Sequence, residues 1–332
     1  MESPSPISFY LPEERWPCLD IPAEVPEGYV DEISEVFFNG PWLSWTFQTY
    51  LRLRECGYPC RLVDTVPVEG IVVVHRADLP FNTTPSSQQV FATTLGDADW
   101  HPYAQVQIVQ NQNHLNGVEN AFFMHHWTQP GLIPRDENRG DAFENVGYFG
   151  HPDQLADALH DPEWERFLAE RGLDWIPVHK GSDRQSDYSD IDLIVAIRSF
   201  DGRSYDYKPA TKLHNAWLAG VPAVLGPESA YQAERTHELD YLKARTYDEL
   251  CGRICALKEN PSLRKRARQR SRERGREISS THKAEQWWEL LTGPIRRVYE
   301  QWREQTWLQR KQYFARRWLQ VKRNAMVERL GV

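Results

Sequence analysis

The chain has 332 residues, 40% of them hydrophobic and 12% aromatic, enough for two cores of ordinary size without disulfide or metal staples. No signal-peptide pattern and no unbroken apolar run near ~18 residues is present, so it is expected neither to be secreted nor to span a membrane. Residues 261–332 hold 19 Lys+Arg against 7 Glu, a net +12, while residues 1–260 carry a net −20; an acidic body with a basic tail excludes a general nucleic-acid binder and points to an anionic surface or partner near the tail.

In chain order, "ISFYLP" (7–12) reads as a first strand. "NGPWLSWTFQTYLRLRECGYPCRLVD" reads as a glycine-containing turn, a helix from Trp42 to Cys56, a stop at Gly57 and a strand. "GIVVVHRAD" (70–78) and "QQVFATT" (88–94) are continuous apolar runs, as in strands buried on both faces of a parallel sheet, and "YAQVQIVQNQ" is another strand. The segment "FFMHHWTQPGLIPRDENRGDAF" is rich in Pro, Gly and charge and reads as a linker. "ENVGYFGHPDQLADAL" restarts the alternation with a strand, a glycine turn and a helix. "GLDWIPVH", "DIDLIVAIR" and "AVLG" add strands, and "YDELCGRICALKEN" and "PSLRKRARQRSRERGREI" add helices. Repeated strand–helix–strand units predict an α/β chain of two Rossmann-like domains facing a cleft. The expected bounds are 1–124 for the first domain, 125–143 for the linker, 144–280 for the second domain and 281–332 for a C-terminal helical extension. The odd set Cys18, Cys56, Cys60, Cys251 and Cys255 contains no CxxC pair and fits reduced thiols in a cytoplasm.

The stretch "YKPATKLHNAWLAGVPAVLGPESAY" (207–231) carries the clearest chemistry. "DIDLIVAIR" ends a buried strand, so the loop that follows lies beyond a carboxyl end, where open parallel sheets hold ligands. Pro209 suits a first helical turn, Thr211 and free backbone N–H groups leave partial positive charge there, and Lys208 and Lys212 add two full charges. The combination suits an anion, most naturally phosphate. The plain alternative is two solvated lysines. Leu213, Ala216 and Trp217 form the packing stripe of the helix, which Gly220 and Pro222 end.

"KPATKLHNAWLAGVPAVLG" resembles the donor-binding segment of GT-B glycosyltransferases, including bacterial group 1/4-like enzymes, in which a loop, a helix and an Ala-Gly-x-Pro-Val turn hold a nucleotide-sugar diphosphate. The domain order matches that fold over most of residues 1–290, though the specific motif covers only 208–226. The resemblance implies transfer of a sugar from a nucleotide-sugar donor, GDP- or UDP-linked, to a hydroxyl acceptor such as a glycan or a lipid-linked glycan. The short pattern is also similar to fucosyltransferase donor segments that use a guanine nucleotide. Retaining enzymes of the fold carry two glutamates where this chain has Tyr207 and Asn215; Asn215 retains the capacity to hydrogen-bond a ribose. Arg198 at a strand end could grip a diphosphate or pair with Asp201 or Asp206. Glu228 could accept from a sugar hydroxyl or simply start a helix, and Gly150 could bring backbone close to the donor or be a turn glycine.

The acceptor hydroxyl must lose a proton towards the first domain, where His75, Asp97 and Asp99 stand at strand ends as candidates. Asp97-Ala-Asp99 also matches an Asp-x-Asp metal motif, the basis of a metal-dependent alternative. The expected reading assigns no metal and no cofactor beyond the nucleotide-sugar substrate, and the adjacent His125 and His126 point apart. A further alternative is a non-catalytic nucleotide- or glycan-binding scaffold. The basic, aromatic tail 294–332 fits either an interfacial helix on anionic lipid at the inner face of a membrane or a closing helix packed across both domains or against a second subunit. Nucleic acid is not expected as a partner.

Overall fold

The computed structural model describes residues 6–115, 119–179 and 181–330, so residues 1–5 and 116–118 of the expected first domain, 180 of the second and 331–332 of the tail lie outside the described residues. The first sheet contains β1 (Ile7–Tyr10), β2 (Arg61–Val63), β3 (Gly70–His75), β4 (Gln89–Thr94), β5 (Val106–Val109) and β6 (Ala121–Phe123), in the order β2-β1-β3-β4-β5-β6. The second contains β7 (Asn145–Gly150), β8 (Asp174–His179), β9 (Leu193–Ala196), β10 (Ala223–Leu225) and β11 (Leu242–Lys243), in the order β11-β10-β9-β7-β8. Every pairing in both is parallel. Each sheet therefore has the doubly wound order, reversing between β1 and β3 and between β7 and β9. Ligand crevices form at such reversals, beyond the strands' carboxyl ends. The fold is the two-domain α/β architecture expected, with helices following at the C-terminal end.

β3 and β4 are buried along their whole length, as their uninterrupted apolar runs require. Their register pairs His75 with Thr94, which puts both strand ends at one edge. The predicted helix after β1 is present from residue 41; it passes through one π-helical stretch, Leu43–Phe47, continues as Gln48–Glu55, and Gly57 adopts φ +75 after it.

Two expectations are corrected. The alternation predicted throughout the first domain is incomplete: among the described residues, the connections between β3, β4, β5 and β6 hold nothing longer than a 3-10 turn. About a dozen residues barely suffice for a helical crossover, so this sheet needs cover from elsewhere. Helices Ser280–Leu290 and Arg296–Glu304 supply it. Trp287, Leu291, Ile295, Tyr299 and Trp302 share one core with Ile7, Val73, Val90 and Ile108. The second correction concerns "HPDQLADAL", which forms two 3-10 turns rather than a helix. The helix begins later, at Pro162–Ala169, where Asp161 accepts from Glu163 N and Pro162 occupies the first turn.

The linker is pinned by a buried carboxylate. Asp192, 2% exposed, accepts from Arg135 Nε at 2.9 Å and from Arg139 Nη2 at 2.7 Å. Asp190-Ile191-Asp192 repeats the Asp-x-Asp pattern of residues 97–99, but its Asp192 is part of the scaffold.

Candidate functional site

The loop after β9 leads into helix Thr211–Ala219, which starts two residues after Pro209 with Ala210 as a cap that offers no side-chain acceptor. Its first N–H groups are therefore left for another partner. Leu213, Ala216 and Trp217 are fully buried, Trp217 Nε1 donates to Asp240 O at 2.7 Å, and Gly220 closes the helix at φ +66. This packing fixes the direction in which the first turn presents Lys212.

Lys212 is half-buried in a cleft of about 250 Å³ between the domains. Phe37, Phe38 and Ser44 line it from the first domain; Gly150, Thr211 and Asn215 line it from the second. Among the described residues Lys212 has no hydrogen bond or ion pair, and its Nζ lies over the Tyr148 ring, 5.4 Å from the centroid. Gly150 is required by that proximity: a Cβ there would stand 3.1 Å from Lys212 Nζ and 2.8 Å from Tyr148 OH. Burial, and next the Arg198 guanidinium, lower the Lys212 ammonium from its ordinary range to about 7. Thr211 Oγ1 is buried without a partner in the same wall. An unpaired cation and the open start of a helix meet at one space, and an anion satisfies both.

Arg198 follows β9 and bonds Glu228 Oε2 at 2.9 Å, with side chains only 10% and 2% exposed. Asp201 pairs with Arg203 and Asp206 bonds Asn113, so neither expected surface partner takes Arg198. Burial raises the Glu228 carboxyl while Arg198 opposes it, and Glu228 Oε1 has no partner. The two members of the pair act on Lys212 with opposite sign, Arg198 lowering its ammonium and Glu228 raising it. Asn215 lines the cleft, but its Oδ1 accepts from Gln129 N at 3.0 Å and ties the helix to the linker. Tyr207 is 43% exposed, and its carbonyl accepts from Gln110 Nε2 at 2.8 Å.

The first-domain candidates separate. His75 is buried, its Nδ1 accepts from Ala77 N at 3.3 Å, and its Nε2 has no partner. Burial and then Arg76 lower it to about 4, so the imidazole is neutral at pH 7. Asp97 reaches across the cleft to Lys208 Nζ and also accepts from Gln110 Nε2 at 2.9 Å. Asp99 is exposed and belongs, with Asp97, to no cluster of potential metal ligands among the described residues. The structure therefore brings Gly150, Thr211, Lys212 and Asn215 to one cleft wall, with Arg198 and Glu228 behind it. Lys208 and Tyr207 lie on the adjoining loop against Asp97, His75 Nε2 lies beside Gly96 under that same Asp97 loop, and Asp99 is exposed.

The polar run that follows β5 was not among the residues expected at the site. Gln110 bridges Asp97 and the Tyr207 carbonyl, and Asn111 Nδ2 donates to Lys208 O at 3.0 Å and Ser229 Oγ at 2.9 Å. The signal was "QNQN" directly after an apolar strand, a place where buried amides need partners.

No family model matches this sequence, and no curated protein matches it. Solved structures do. TarM is 14% identical with a TM-score of 0.49, over 73% of this chain and 58% of its own. AviGT4, a glycosyltransferase involved in avilamycin A biosynthesis, is 14% identical with a TM-score of 0.49, over 90% of this chain and 98% of its own. HepE from Anabaena, in complex with UDP and glucose, is 10% identical with a TM-score of 0.46, over 87% and 100% respectively. This chain thus spans less than two thirds of TarM.

Proposed function

We propose that this chain is a glycosyltransferase that moves a sugar from a nucleotide-sugar donor to a hydroxyl acceptor, without a metal ion on the diphosphate. The observation that carries the reading is the unpaired Lys212 ammonium beside Gly150 at an uncapped helix start, inside an interdomain cleft. The resemblance of residues 208–226 to a donor segment supports the same ligand.

In this reading the donor diphosphate lies against the first turn of helix Thr211–Ala219. Lys212 and the free N–H groups balance the charge that develops as the sugar–phosphate bond breaks. Asp97 is the carboxylate that already reaches the donor loop, through Lys208, and is the proposed proton acceptor for the acceptor hydroxyl. His75, neutral and unpaired at Nε2, is the second candidate. The acceptor is proposed to be a glycan or lipid-linked glycan, as in polysaccharide assembly, with the enzyme cytoplasmic and peripheral at the inner membrane face. The exposed Trp307, Leu308, Trp318 and Leu319 among basic residues support that placement.

A donor-hydrolysis assay tests the proposal. Purified protein should release nucleoside diphosphate from one nucleotide sugar in the presence of EDTA, and Asp97→Ala should slow this while leaving nucleotide binding in place. Binding without turnover of any donor or acceptor would favour the scaffold reading, to which the replacement of the two glutamates by Tyr207 and Asn215 lends support.

A further inference from the structure

Behind the cleft wall, three side chains from separate segments meet. His125 stands just after β6 at the start of the linker, His214 on helix Thr211–Ala219, and Glu234 at the end of helix Ser229–Glu234. His125 Nε2 lies 2.7 Å from Glu234 Oε1, and His214 Nε2 lies 3.5 Å from the same oxygen. One donor atom from each falls within 4.8 Å of the others. His214 is 2% exposed, and its Nε2 has no hydrogen-bond partner although it is aimed into this group. A cavity of about 10 Å³ borders all three residues, room for one water-sized body.

We propose that His125, His214 and Glu234 bind one divalent transition-metal ion of the zinc class, which clamps the linker to the second domain. Two imidazoles and a carboxylate are the donor set such ions prefer. Bonds of about 2.0–2.2 Å place tetrahedral donors roughly 3.4 Å apart, so small side-chain rotations convert the observed triangle into a coordination site, with the cavity left for a water. The ion replaces the His125–Glu234 hydrogen bond and satisfies the orphaned His214 nitrogen. Arg274 Nη2, 3.8 Å from Glu234 Oε2, holds the outer oxygen and leaves Oε1 directed at the imidazoles.

The ion's role is mechanical. His214 sits between Lys212 and Asn215 on the helix that forms the cleft wall, so fixing it to His125 fixes that wall relative to the first sheet. Lys283 Nζ, bonded to His126 O at 3.0 Å, anchors the neighbouring residue in the same direction. Nothing in this depends on the chain being a transferase.

The test uses full-length, tag-free protein, stripped with chelator and dialysed, then titrated with Co(II) alone. A visible d–d band should saturate at one equivalent and be displaced by Zn(II), and Zn(II) should raise the thermal midpoint. His214→Ala and Glu234→Gln should each weaken Co(II) binding by more than the ~10–100-fold that loss of an outer-shell partner costs. His125→Ala, at a partly exposed position, gives the same reading should circular dichroism show the buried variants unfolded. No saturable band in the wild type, or an equal band in every folded variant, overturns the proposal.

Discussion

Lys208 and Lys212 are four residues apart on one loop-to-helix junction, yet the fold holds them differently. Lys208 is paired with Asp97 from the other domain, whereas Lys212, among the described residues, faces the cleft with no hydrogen bond or ion pair. Lys212→Ala should weaken nucleoside-diphosphate binding by about 1.5–3 kcal/mol, the worth of a charge-assisted hydrogen bond. Lys208→Ala should cost less, and calorimetry on both variants separates the two. The lowered Lys212 adds a pH signature. At pH 8 the free ammonium, at about 7, is largely deprotonated, while a bound diphosphate favours the charged form. Binding at pH 8 should therefore take up a proton, and affinity should fall as pH rises above about 7. Calorimetry in two buffers of different ionisation enthalpy reads this; a heat independent of buffer contradicts it. For the ligand-free fold the sign is opposite. Between about 7 and the ordinary 10.5 the unfolded chain binds more protons at Lys212, so stability from this group rises with pH over that window. At this scale the sequence showed the two lysines and the helix start. It could not show which lysine is free, because the answer lies with Asp97, 111 residues away along the chain.

The C-terminal helices show how one element can serve two faces. Helix Trp307–Leu330 follows Arg296–Glu304, and its inner side returns to the first domain: Tyr313 OH donates to Ala104 O at 3.0 Å, and Arg317 Nη2 donates to His101 O at 3.3 Å. Its outer side exposes Trp307, Leu308, Trp318 and Leu319. Positions 307 and 318 lie eleven residues apart, three helical turns, so they share a face, and Lys311 and Lys322 ammoniums sit 4.2 and 5.5 Å from their rings. No described helix is long and apolar enough to cross a membrane. The protein should sediment with anionic liposomes and be released by rising salt, since each basic residue near the surface adds about 1 kcal/mol within a Debye length. A quadruple change of the four exposed apolar residues to serine should abolish sedimentation and leave the fold intact; undiminished binding would refute the interfacial reading. Truncation before Gly293 is a poor test, because Ile295, Tyr299 and Trp302 belong to the first-domain core. Trp302 is 2% exposed and bonds Ser86 O at 2.8 Å, so Trp302→Ala should cost about 3–5 kcal/mol, read by denaturant unfolding. Helicity and basicity of the tail were readable from composition. Which face packs was not, since aromatics occur on both sides.

For the molecule as a whole, apolar runs and turn punctuation located most strands of both sheets, and the strand–helix alternation pointed to parallel sheets. The missing crossover helices were not legible, because the strands' burial is the same whether neighbouring helices or the distant residues 280–304 cover them. Contacts across the cleft were least legible: Gln110, Asn111 and His125 meet partners 97, 118 and 109 residues away, and no local pattern encodes such distances. The central claim is that this cleft holds a nucleoside diphosphate at Lys212. The most direct test is a thermal-shift panel of UDP, GDP, ADP, TDP and CMP on the wild type and on Lys212→Ala, since a ligand that binds only the folded state raises its apparent stability. The account predicts that at least one diphosphate raises the wild-type midpoint, that CMP does so less, and that the shift largely disappears in the variant. No shift with any diphosphate, or an equal shift in Lys212→Ala, would contradict it.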